Sequence, residues 1–375
     1  MPDPDHPLDS HRPETERDHA SDGADRTTEP NTAESNTAES SSNEPVVAEV
    51  SPQESPKSTK PATEKSQAQA PIPGPVLTEA HLRPPLKRRV RLPVILFVIT
   101  CFSTFWAGVT GWQPLSFGGL DFRQLVIRNW DEGLTYMVCV LAILLTHEMG
   151  HFIATLLYRI PASLPFFIPL PLIAPIGTMG AVIGMEGQRA NRRQIFDIGI
   201  AGPLAGLVVA IPILWIGISQ LEFTKPAYGA FLYDCPLIVR WMIGWIQPEH
   251  AHVTTIGTSQ LNAYFMAGWV GLLITGLNMM PVSQLDGGHV IYSLFLKRAH
   301  TIARTFVYLA MAYIVFGDAW IWSVMLILVV LMGTDHPPTA DDRVPLGRGR
   351  FVLGCLSLAI PLLCFPLKGL IPVGF

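Results

Sequence analysis

Charge is scarce in this sequence: Asp, Glu, Lys and Arg together supply 15% of its 375 residues, whereas hydrophobic residues supply 49%. A soluble globular domain uses roughly a quarter charged residues, so that class is excluded in favour of an integral membrane protein. Cysteine is equally sparse. Cys101, Cys139, Cys235, Cys355 and Cys364 are odd in number and show no C-x-x-C spacing. That excludes a disulfide framework and a thiolate metal site and leaves small buried hydrophobes. Nucleotide fingerprints and nucleic-acid modules are missing too. The start has no basic segment leading into a short apolar one, so a cleaved signal peptide is not expected.

The charge that is present is unevenly placed. Residues 1–80 hold 16 acids and 6 bases, and the remainder holds 14 acids and 20 bases. The first region is rich in Pro, Ser, Thr, Glu and Asp, repeats "NTAES" across Asn31 to Ser40, and lacks the apolar surface that would offset the entropy of ordering. Residues 1–85 therefore read as a disordered, acidic, cytoplasmic tail, and 86–375 as a transmembrane domain with its core at about 134–292.

Apolar runs of spanning length lie at Leu92–Trp112, Leu134–Tyr158, Ile195–Ile218 and Leu261–Met280. Shorter runs at 306–316 and 319–332, two spans or one hairpin, and a last one at 351–367 bring the expectation to six or seven transmembrane helices in an all-α polytopic fold. Lys87, Arg88, Arg89 and Arg91 precede the first run and place the amino terminus in the cytoplasm, with Arg159, Arg189 and Lys297 on the same side. The expected location is a multi-pass position in a bacterial inner (plasma) membrane. One uncharged stretch breaks the helical pattern. Pro161 to Gly184 contains five prolines, each removing a backbone donor, and reads as a re-entrant loop or β-hairpin beside the functional centre, with an interfacial loop of no role as the plain alternative.

Within the second run stands "HEMGH". On a helix His147 and His151 are four residues apart and share a face, and Glu148 lies beside them. This is the H-E-x-x-H arrangement, in which two imidazoles hold Zn²⁺ and the glutamate serves as general base. Charged groups near a bilayer centre cost at least ~2.5 kcal/mol each, which argues against decoration, although a polar trio gluing helices is the plain structural alternative. Catalytic zinc uses three protein ligands, and Asp286 in "NMMPVSQLDGGH" is the candidate third; its alternative role is a helix cap. His289 is either a supporting partner or simply interfacial. His250 and His252 in "PEHAH" read as loop residues.

The pair of motifs, H-E-M-G-H followed by Asn278-x-x-Pro281-x-x-x-x-Asp286-Gly287, resembles the site-2 protease family of intramembrane zinc metalloproteases (M50-type). The likeness extends over about Leu134 to Tyr292 and includes "GIAGPLAG", Gly199 to Gly206, whose Gly202 and Gly206 also form a close-packing G-x-x-x-G face. The resemblance implies one Zn²⁺ per chain held by His147, His151 and Asp286, Glu148 as catalytic base, and Asn278 assisting substrate or transition-state binding. It implies hydrolysis of peptide bonds within or near transmembrane segments of membrane-protein substrates, in regulated intramembrane proteolysis. The outer segment from Ser219 to Gln260 is too short for the PDZ domain many members insert, pointing to the PDZ-less branch with plastid and cyanobacterial relatives. A metal-ion transporter and a catalytically silent membrane-protein-binding relative are the readings from other classes. The sequence leaves the substrate and the oligomeric state open.

Overall fold

A computed structural model describes residues 90–113, 121–282 and 284–373. The acidic tail expected over residues 1–85 lies outside the described residues. Helices α1 (Arg91–Val109) and α2 (Phe122–Leu157) are followed by strands β1 (Phe166–Pro169) and β2 (Thr178–Val182) and by helix α3 (Arg192–Ser219). Strand β3 (Phe231–Asp234), helix α4 (Leu237–Ile246) and strand β4 (Thr255–Gly257) lead to α5 (Ala263–Asn278) and α6 (Asp286–Phe295). Then come α7 (Arg298–Phe316), α8 (Ser323–Met332), α9 (Arg348–Ser357), α10 (Ile360–Cys364) and β5 (Leu370–Pro372).

Four of these helices, α1, α2, α3 and α7, are long and apolar enough to cross a membrane, fewer than the six or seven expected. The reasons are local. The run at Leu261–Met280 forms a helix of 16 residues, about 24 Å long at 1.5 Å per residue, because Asn262 caps it at one end and Pro281, three residues past Asn278, cannot continue it. The last run divides at Leu358 and Ala359, with Pro361 in the first turn of α10. The run at 319–332 yields a helix of only 10 residues. In the other direction, α2 starts well before Leu134: the Asp121 carboxylate accepts a hydrogen bond from Gln124 N at 2.8 Å, and a kink at Asn129 (φ −120°, ψ 17°) joins the added turns to the apolar part.

The short α5 lies at the centre of the described helices. It is apolar all round, the pattern of a wholly buried helix, and Phe265 and Trp269 are fully enclosed. It packs against α2 and α3. Glu132 of α2 accepts from Ala263 N at 3.0 Å, satisfying an otherwise orphaned donor at the start of α5, and Trp269 Nε1 donates to Asp234 O at 2.8 Å. Away from this core, Phe102, Leu157 and Val208 leave about 70% or more of their surface exposed, which suits a hydrocarbon surrounding and would be costly in water.

Pro161 to Gly184 contains the hairpin. β1 and β2 are antiparallel, pairing Phe166 with Val182 and Phe167 with Ala181, with an irregularity before Pro169 pairs with Thr178. Ser103 Oγ donates to Gly177 O at 2.6 Å and Tyr136 hydroxyl to Ile176 O at 2.7 Å, so both α1 and α2 pin the loop between the strands. Gly177 (φ +72°) permits the close approach, since a Cβ there would lie 2.6 Å from Ser103 O. Between α3 and α5, β3 pairs antiparallel with β4 on one side and with β5 on the other. β3, α4 and β4 make up most of the ordered structure of the segment between α3 and α5, and β5 joins their sheet from the far end of the chain.

Candidate metal centre

α2 carries His147, Glu148 and His151 inward, and all three are buried. Their i, i+4 spacing sets the two imidazole rings 5.0 Å apart between centroids. Asp286 arrives from the first turn of α6. It does not cap that helix, whose N-cap is Leu285; its carboxylate faces the imidazoles instead. Oδ2 lies 3.2 Å from His147 Nε2 and Oδ1 lies 3.3 Å from His151 Nε2. One ligand atom from each of the three residues falls within 4.8 Å of the others.

Donor chemistry here suits zinc. Two imidazole nitrogens and one carboxylate make three protein ligands, leaving room for a fourth position, as catalytic zinc requires. His151 Nδ1 lies 2.7 Å from Ile198 O, and a carbonyl can only accept, so Nδ1 carries the ring proton and Nε2 presents its lone pair toward Asp286 and His147. Orientation of a ligating imidazole by a backbone carbonyl is how metal sites fix the tautomer.

Room for these rings comes from α3. A Cβ on Gly202 would sit 2.1 Å from His151 Nε2, one on Gly206 would sit 3.1 Å from His147 Nδ1, and one on Gly199 would sit 2.9 Å from His289 Cβ. The glycine stripe that reads in the sequence as a helix-packing face thus accommodates imidazoles. Asn278, at the end of α5, brings Nδ2 to 3.4 Å from His147 Nε2. Glu148, His151, Asn278 and Asp286 line a cavity of about 140 Å³ whose wall includes Ala181 and Val182 of the hairpin. Four of the five residues singled out by the motifs thus line one cavity, and the fifth, His147, lies beside it, within 3.2 Å of Asp286 and 3.4 Å of Asn278. His250 stacks on Phe223 at 4.4 Å and takes no part in this group.

Two features escaped sequence reasoning. The contact of Gly199, Gly202 and Gly206 with specific rings depends on how α3 packs on α2 and α6. His289, undecided between a supporting and an interfacial place, lines the same cavity and hydrogen-bonds His336, Nδ1 to Nε2, at 2.7 Å. His336 belongs to "TDHPPTADD", a stretch without apolar periodicity whose only signal was a histidine ahead of two prolines.

Residues 135–317 match the family model of Peptidase family M50. The chain is similar to "Probable zinc metalloprotease EGY1, chloroplastic" of Oryza sativa subsp. japonica, with 30% identity over 232 residues, 56% of this chain and 38% of that protein. The protein of the same name from Arabidopsis thaliana is 29% identical over 251 residues, 64% of this chain and 44% of its own length. "Probable zinc metalloprotease EGY2, chloroplastic" of Arabidopsis thaliana is 27% identical over 283 residues, 72% of this chain and 47% of its own. The chain spans less than half the length of these curated relatives. The matched region contains His147, Glu148, His151, Asn278 and Asp286, and the family match and these relatives together support an M50-type zinc metalloprotease.

Proposed function

We propose that the chain is an intramembrane zinc metalloendopeptidase that hydrolyses peptide bonds within or near transmembrane segments of other membrane proteins, in regulated intramembrane proteolysis. The observation that carries this reading is the convergence of Asp286, from α6, with His147 and His151, which stand with the cavity-lining Glu148 inside a helix apolar enough to span a bilayer. His147 Nε2, His151 Nε2 and the Asp286 carboxylate would hold the ion. When bound, zinc supplies Lewis acidity that makes a water acidic near neutral pH and polarises the scissile carbonyl. Glu148 accepts the proton of the attacking water and returns it to the leaving amine. Asn278, with its amide beside His147, is placed to donate to the substrate carbonyl.

A substrate helix conceals its peptide bonds in its own hydrogen bonds and must unwind before it is cut. Among the described residues β2 pairs only with β1, and its Ala181 and Val182 border the cavity, so its second edge suits an added strand from the unwound substrate. The core at about 134–292 carries this chemistry, and the tail at 1–85 does not enter it. The orientation, with a cytoplasmic amino terminus, rests on flanking charge. The bacterial inner membrane belongs to the same reading but draws no support from the relatives, which are named chloroplastic.

The test is cleavage by the purified chain in liposomes of a peptide bearing a transmembrane helix. Cleavage should vanish with a zinc chelator and return when zinc is added back. Zinc flux into the liposomes with no peptide cut would replace this reading with that of a transporter.

A further inference from the structure

The segment from Gly333 to Gly347 lies outside the helices and outside both sequence motifs, yet it joins α6, which carries Asp286, to α7 and to the start of α3. At its start Asp335 pairs with Arg304 of α7 at 3.0 Å. Further on, Ala340 N donates to Ala190 O at 2.9 Å, just ahead of α3, the helix whose Ile198 carbonyl orients His151. Between these anchors the segment meets α6. His336 hydrogen-bonds His289 at 2.7 Å, Tyr292 stacks on the His336 ring at 4.2 Å, and the Tyr292 hydroxyl donates to Asp342 at 2.9 Å.

The proton positions along this chain follow from its chemistry. His336 Nδ1 lies 2.5 Å from Pro337 O, which can only accept, so Nδ1 holds the proton. Burial pushes the His336 imidazole below its ordinary range, so the ring is neutral near pH 7 and its Nε2 is an acceptor. His289 Nδ1 must then be the donor between the two rings. His289 stands one turn after Asp286 on α6, lines the same cavity, and packs its Cβ against Gly199 of α3. Fixing that ring fixes the turn that presents the Asp286 carboxylate.

We propose that His336 is a positioning residue for the metal centre: through His289 it holds the first turn of α6, and with it Asp286, in register with His147 and His151. The inference rests on the reading of those three residues as the zinc ligands. It differs from an ordinary packing contact in what it requires of position 336, namely a hydrogen-bond acceptor at the place of Nε2. Partners that orient a ligand from outside typically govern metal affinity 10- to 100-fold.

The experiment measures the zinc dissociation constant of the full chain in detergent by competition with a chelating dye, together with the visible spectrum of the Co²⁺-loaded protein and its thermal midpoint. His336→Ala should weaken zinc about 10- to 100-fold and alter the Co²⁺ bands, whereas His336→Gln, whose side-chain oxygen can accept from His289, should stay within about threefold of the unmodified chain. Tyr292→Phe keeps the ring stack, removes only the tie to Asp342, and should fall between the two. It carries the test if His336→Ala does not fold. A lower thermal midpoint with zinc affinity and Co²⁺ bands unchanged in His336→Ala, or in Tyr292→Phe where it stands in, would overturn the proposal and leave the ligand assignment intact. Absence of zinc binding by the unmodified chain would overturn the ligand assignment itself, and this proposal with it.

Discussion

Single side chains decide whether three donors can meet at all, and the tightest constraint falls on a residue with no side chain. A Cβ at Gly202 would lie 2.1 Å from His151 Nε2, a distance no relaxed structure tolerates, so Gly202→Ala must push the imidazole out of line or force α3 away from α2. Overpacking of this kind costs about 1–3 kcal/mol. Zinc affinity should fall by at least about tenfold, the equivalent of ~1.4 kcal/mol, as read by chelator competition. Gly349→Ala, on α9 with open space around the added methyl, should leave zinc affinity unchanged and raise stability slightly, since alanine is the better helix residue. Equal zinc loss in both variants would mean that helix content, and not the ring contact, controls the site. At this scale the sequence was partly legible. The shared face of His147 and His151 needs only a helix, and Asp286 was marked by its motif. The glycine-to-imidazole contacts were not legible, because they depend on the crossing of α3 over α2, and the partner of His289 stands 47 positions along the chain.

Among the elements, the break in helix from Pro161 to Gly184 followed from composition, which left a re-entrant loop and a β-hairpin both open. Five prolines in an uncharged stretch cannot continue a helix, and backbone at membrane depth has to satisfy its polar groups elsewhere. What the prolines could not reveal is which strand borders the cavity. The structure puts β2 there, with Met179 and Val182 partly exposed along it. Photo-crosslinking residues at these two positions should capture a transmembrane substrate when cleavage is blocked by Glu148→Gln, while the same residue at Val208, on the outward face of α3, should capture none. Capture at Val208 but at neither hairpin position would contradict the strand-addition route. The sheet of β3, β4 and β5 was not legible, since its strands are three or four residues long and Leu232 pairs with Ile371 from the far end of the chain. The lengths of the helices were misjudged for a related reason. Hydropathy marks apolar runs, but caps such as Asn262 and breaks such as Pro361 decide where those runs stop being helix.

Across the described residues, the helices form an apolar bundle enclosing a small polar centre. α5 is buried on every side, the long helices turn apolar faces outward, and the ionisable trio of α2 faces inward. That arrangement suits chemistry performed at membrane depth, where carrying a carboxylate would otherwise be a liability. In the proposed function the two carboxylates of the centre differ in role, Asp286 holding the ion and Glu148 moving the proton. The most direct measurement is zinc content and peptide cleavage on Glu148→Gln and Asp286→Ala in one liposome preparation. Glu148→Gln should retain zinc and lose at least about 100-fold in cleavage rate, as removal of a general base typically does, while Asp286→Ala should lose zinc and cleavage together. Cleavage at the unmodified rate by Glu148→Gln, or one tightly held zinc in Asp286→Ala, would contradict it.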